Sequence, residues 1–130
     1  MLEQNHLSVG FAGLDYGLIA DMGSIPLASV TKETGEISFL VNYKPPTLIP
    51  EIRSEQRKAY NYETESATYS SRVQAAIGHI YVLRAINYDR ADILVAFKII
   101  RKDTDGSLII DWKTIQTFKK PIYDRTSKEP

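Results

Sequence analysis

The chain has 130 residues, with 16 basic and 16 acidic side chains, two histidines and no cysteine. That length suits one domain able to bury its own core without disulfide or metal staples. The missing cysteines exclude thiol catalysis, disulfide scaffolds and thiolate metal sites, and the balanced charge provides no global field to attract nucleic acid or an anionic membrane.

The opening stretch, MLEQNHLSVGFAGLDYGLIADMG, lacks the basic start and clean apolar run of a signal peptide. No apolar run anywhere approaches the roughly 18 residues that a membrane span needs. A soluble chain without a membrane span is therefore expected. LSVGFAG is a candidate strand and YGLIAD a strand. Further on, Lys32-Glu33-Thr34-Gly35 separates two β-prone runs in ASVTKETGEISFLVNYKPP. This predicts a turn followed by a strand over residues 36–43, which must stop at Pro45-Pro46 because proline cannot donate to a ladder.

Between residues 45 and 69 the periodicity fails. Pro50 and Glu51 suit the start of a short helix running to Ala59. Its apolar stripe is thin, however: Ile52, Ala59 and Tyr60. The segment is expected to be an irregular excursion or a weakly packed helix.

Residues 78–118 carry the clearest pattern. HIYVLRAINY, ILVAFKIIRK and SLIIDWKTIQTF are rich in Ile, Val and aromatic residues, and DRAD and DTDG separate them. They predict a three-strand antiparallel meander. Residues 73–86 also fit a helical stripe, but Gly78 and the Ile-Tyr-Val cluster favour a strand. A four-residue loop over residues 103–106 sets Lys102 opposite Ser107, Ile99 opposite Ile110, Lys98 opposite Asp111 and Phe97 opposite Trp112, with Trp112 assigned to the core. A two-residue loop would oppose Lys98 to Lys113 instead. Residues 119–130 read as a fraying tail behind a single β-rich domain over 1–118.

The resulting fold class is mainly β: an antiparallel sandwich or partly open barrel of about six or seven strands ending in the meander. An α+β arrangement with one or two short helices, at 50–59 or 73–86, is the alternative.

Several constellations invite a chemical interpretation. With Gly106 at the sixth position of a calcium loop, Asp103 and Asp105 fall at positions three and five. Arg101 and Trp112 then occupy the first and twelfth positions, where oxygen ligands are required, so the stretch is a hairpin and no metal site is expected. His6 and His79 are too few and too far apart for zinc, and a histidine base would need an orienting carboxylate beside it. The chain has no G-x-S-x-G, P-loop or G-x-G-x-x-G motif. Asp15, Asp21, Asp89 and Asp92 lie at strand ends, where turns attract aspartate. Arg84 interrupts an apolar run and needs a partner if buried. Arg90, between Asp89 and Asp92, marks a polar turn. Tyr60 and Tyr62 share one side of an extended segment, and such aromatics suit protein or ligand contacts.

These observations predict a non-enzymatic binding or protein-interaction module that uses loops on a β scaffold, with Tyr60, Tyr62, Arg84, Arg90 and Asp92 as ligand- or partner-binding candidates. No catalytic residue and no cofactor is expected. The partner would be a protein or small molecule rather than nucleic acid. A small enzyme or ligand carrier with an internal pocket is the second expectation, and an oligomer-forming subunit pairing through hairpin edges is the third.

Overall fold

The computed structural model describes residues 6–8, 13–64 and 67–124. Among the described residues there are eight strands: β1 (His6–Ser8), β2 (Asp15–Asp21), β3 (Tyr62–Glu63), β4 (Thr68–Tyr69), β5 (Arg72–Gln74), β6 (Ile80–Asn87), β7 (Ala91–Lys102) and β8 (Leu108–Thr117). The helices are α1 (Gly35–Asn42) and α2 (Ile49–Lys58), preceded by one 3-10 turn at Leu27–Ser29. Strands β2, β6, β7 and β8 form the main antiparallel sheet in that order, while β1–β5 and β3–β4 are small two-stranded pairs. The expected mainly β class holds, and among the described residues the sheet does not close into a barrel.

The meander formed by β6, β7 and β8 is as expected. Gly78, at φ 86°, turns the chain into β6, a conformation glycine adopts without cost. Residues 80–87 are accordingly strand rather than helix. The β7–β8 register places Phe97 opposite Trp112, Lys98 opposite Asp111 and Ile99 opposite Ile110, as the charge pairing predicted. The loop differs. A bulge at Ile100 shifts the pairing, so Lys102 faces Leu108 rather than Ser107. The loop is closed by Asp103 N–H donating to the Ser107 carbonyl at 2.8 Å. A second bulge leaves Ile115 unpaired between Thr114 and Gln116.

The expected strand over residues 36–43 is instead the helix α1. Ile37 and Leu40 are fully buried, and Val41 packs partly against the same core. Spacings of three and four residues put these side chains on one helical face, and burial of that face overrides the β propensity of the Ile-Ser-Phe-Leu-Val run. The predicted turn at residues 32–35 becomes the entry to the helix, with Ser38 N–H donating to the Thr34 carbonyl at 2.8 Å. Helix α2 corresponds to the predicted 50–59 helix. Pro50 lies in its first turn, Glu51 sits at its positive end, and Arg57 and Lys58 sit at its negative end. Its thin stripe is enough: Ile52 and Ala59 are both buried.

The two faces of the sheet are covered unequally. On one, Leu18, Ala20, Ile80, Val82, Ile86, Leu94 and Ala96 pack against Ile37, Leu40 and Ile52 of the helices and against Val30, Tyr43 and Tyr69. On the other, Ile19, Tyr81, Val95, Phe97 and Ile99 form a smaller cluster, with Val73 and Ala75 packed against it. Residues 119–124 also dock: Asp89 N–H donates to the Pro121 carbonyl and Asp124 N–H to the Thr47 carbonyl, at 2.7 and 2.8 Å. Among the described residues no helix is long and apolar enough to cross a membrane.

Candidate interaction surface

The five residues singled out in the sequence do not converge. Arg84 and Asp92 are buried together in the helix-covered face. The guanidinium donates to both carboxylate oxygens, Nε to Oδ1 at 2.5 Å and Nη2 to Oδ2 at 2.7 Å. Nη1 donates to the carbonyls of Leu40 and Tyr43, at 2.6 and 2.8 Å. These are carbonyls that the end of α1 leaves without an intrahelical partner, and a cation there also meets the negative end of the helix dipole. The Phe118 ring lies 3.6 Å from the guanidinium carbon. This buried cation thus donates four hydrogen bonds, and it seats α1 on the sheet.

Around it runs a buried tyrosine network. The Tyr16 and Tyr43 hydroxyls are 2.5 Å apart, and Tyr43 Oη donates to Glu55 Oε1 at 2.6 Å. Tyr88 Oη donates to the Pro46 carbonyl. Burial raises the Tyr16 and Tyr43 phenols well above the usual range, and it pushes Tyr88 up to about 12.

Tyr60 and Tyr62 diverge because the chain turns at the end of α2, where Asn61 N–H donates to the Lys58 carbonyl. Tyr60 is 72% exposed and rims a cleft of about 340 Å³ with Arg53, Gln56 and Arg57. Tyr62 is half-buried beside Phe39 and Tyr43, and the Lys58 ammonium lies over its ring. Arg90 is exposed on the β6–β7 turn, at the margin of a separate cleft with Asp15, Asn87 and Tyr123. Asp92 turns inward to Arg84, so it does not join Arg90.

His79 has the carboxylate that a general base would need: Nδ1 lies 3.0 Å from Asp21. Both side chains are exposed, Asp21 also accepts from Gly23 N–H at 2.8 Å, and the pair lines none of the clefts described above. It locks the turn before β6. Among the described residues no group of three His, Asp or Glu side chains is placed to hold a metal ion. In the DTDG loop, Asp103 accepts from Arg101 and Asp105 from Ser107. The Ser107 hydroxyl and amide hold the Asp105 carboxyl below its usual range.

The surface that the sequence did not reveal is β8. Trp112, expected in the core, is 60% exposed, whereas its cross-strand partner Phe97 is only 8% exposed. Ladder position explains the difference. The layer carrying Val73 contacts β2, at the far side of the sheet, while β8 is the outermost strand on the opposite side. Ile110 is exposed on the same face of β8 as Trp112, Ile109 is exposed on the other face, and Ile100 is exposed at the bulge in β7. The two sheet edges also differ. The outer edge of β2 exchanges backbone hydrogen bonds between Ile19 and Ser70, at 2.7 and 3.0 Å. Among the described residues no strand pairs with the outer edge of β8. A long apolar edge strand with unpaired backbone groups is a template for another strand, and large exposed aromatics are typical anchors of protein interfaces. Comparison with protein-family models, curated proteins and solved structures finds no match for this chain.

Proposed function

We propose that the chain is a non-enzymatic protein-interaction module that recruits its partner by strand addition to the outer edge of β8, with Trp112 as the apolar anchor. The observation that supports this most is the 60% exposure of the lone tryptophan on a ten-residue strand whose outer edge, among the described residues, pairs with no other strand. Main-chain hydrogen bonds would supply affinity in this mode, and alternate side chains the specificity. The buried polar side chains that a ligand carrier would use are already engaged with one another: Tyr16 with Tyr43, and Arg84 with Asp92 and the end of α1.

A photo-crosslinking side chain at position 112 tests the proposal, with the same probe at exposed Tyr60 as the control. The expected outcome is a discrete adduct at position 112 whose mapped crosslink falls within a β-strand-forming segment of its partner. Equal labelling at positions 112 and 60, with no discrete adduct, would overturn it.

A further inference from the structure

We infer that the segment that adds to β8 is β8 of a second copy of this chain, paired antiparallel about a two-fold axis at Trp112; this rests on the strand-addition function proposed above. The strand Leu108–Thr117 carries two charges, Asp111 and Lys113, two residues apart on the face opposite Trp112. Charges on an edge strand usually discourage pairing. Here their spacing makes the strand complementary to itself. In a symmetric antiparallel pair with the axis perpendicular to the sheet, directly opposed residues share a face, so their numbers must differ by an even amount. Centring the axis on Trp112 opposes Asp111 to Lys113 of the other copy, twice, and brings the two indoles together. Centring it on Asp111 or on Lys113 opposes like charges at the axis, which is unfavourable.

The geometry favours the same centre. Uninterrupted pairing of β8 with β7 runs from Ile110 to Thr114, between the two bulges, and Trp112 is its midpoint. Two charges are available. Among the described residues Asp111 has no ion-pair partner, although Lys98 stands opposite it in β7. Lys113 donates to the Val30 carbonyl at 2.8 Å, and an ammonium has further donors for a carboxylate. The product is an isologous dimer with one continuous eight-stranded sheet, in which Trp112 opposes Trp112 and Ile110 opposes Thr114 of the second copy.

Charge-reversed variants studied singly and mixed, by sedimentation velocity at micromolar concentration, test the register. The wild-type chain is expected to be a dimer. Asp111→Lys alone opposes lysine to lysine at both positions, and Lys113→Asp alone opposes aspartate to aspartate. Each should weaken dimerisation about tenfold or more. Mixing the two variants opposes lysine to aspartate at both positions, so the mixture should recover a dimer that neither variant forms alone. Circular dichroism of each variant confirms that it is folded, and recovery on mixing excludes simple misfolding. If either variant does not fold, Asp111→Asn and Lys113→Gln should still weaken the wild-type dimer measurably. Single variants that dimerise as tightly as wild type, or a mixture that stays monomeric, would overturn the proposed pairing. A monomeric wild-type chain overturns the second copy as occupant. The strand-addition function itself then stands or falls on whether position 112 crosslinks to a different protein.

Discussion

Tyr16, Tyr43 and Tyr88 are the residues whose chemistry the fold changes most. Each hydroxyl is buried and hydrogen-bonded, so the neutral phenol is favoured and ionisation is shifted upward, with Tyr88 pushed up to about 12. In the unfolded chain phenols ionise near pH 10. A raised acid in the folded state means that folding retains protons at high pH. The stabilisation is therefore fully present below about pH 10 and is lost as the pH rises above it, by roughly 1.4 kcal/mol per pH unit for each protected phenol. Urea unfolding across alkaline pH, followed by tyrosinate absorbance, should show stability declining from about pH 10, with the Tyr16 and Tyr43 phenolates appearing only as the chain unfolds. Stability unchanged over that range would contradict this account of the network. None of it was legible in the sequence, because tyrosine in a polar stretch and tyrosine in a core have the same spelling. The β-prone run around Tyr43 predicts the end of a strand, whereas Tyr43 closes α1 over Tyr16 and Glu55.

At the scale of elements, the readable parts were those where local preference and burial agree. In β6, β7 and β8, β-branched runs, turn residues and charge pairing all specify one register, and Lys98 opposite Asp111 was obtained from spacing alone. For α1 the two signals conflict, and only the three-dimensional core decides for the helix. Arg84 was flagged as a charge in an apolar run but left without its partner. The hairpin would have supplied one: with Arg84 opposite Leu94 and Ile86 opposite Asp92, the two charges are diagonal neighbours on one face. Because Arg84 joins Asp92 to the last carbonyls of α1, Arg84→Leu should strand a buried carboxylate and unseat the helix together. The expected loss is about 3–5 kcal/mol of stability, with reduced helical circular dichroism. A melting temperature close to wild type would show that α1 is held by its apolar face alone.

The whole molecule is asymmetric in two ways. One face of the sheet carries the helices and the main core; among the described residues, the other is covered toward β2 and left open toward β8. One edge of the sheet is bonded to the chain around Ser70, and the other presents Ile109, Ile110 and Trp112 on an open strand. Both asymmetries point to the same corner of the molecule, the outer side of β8. Surface aromatics in loops, which the sequence emphasised, turn out to lie apart, with Tyr60 on a cleft rim and Tyr62 against Phe39.

Trp112 is the single tryptophan of the chain, so its fluorescence reports on the proposed surface without added labels. As protein concentration rises from nanomolar into the micromolar range, pairing through β8 should shift the emission to shorter wavelength. The folded state should be unchanged by far-ultraviolet circular dichroism. Emission of a fully hydrated indole, constant across the whole range in the folded protein, would contradict pairing of β8 with a second copy.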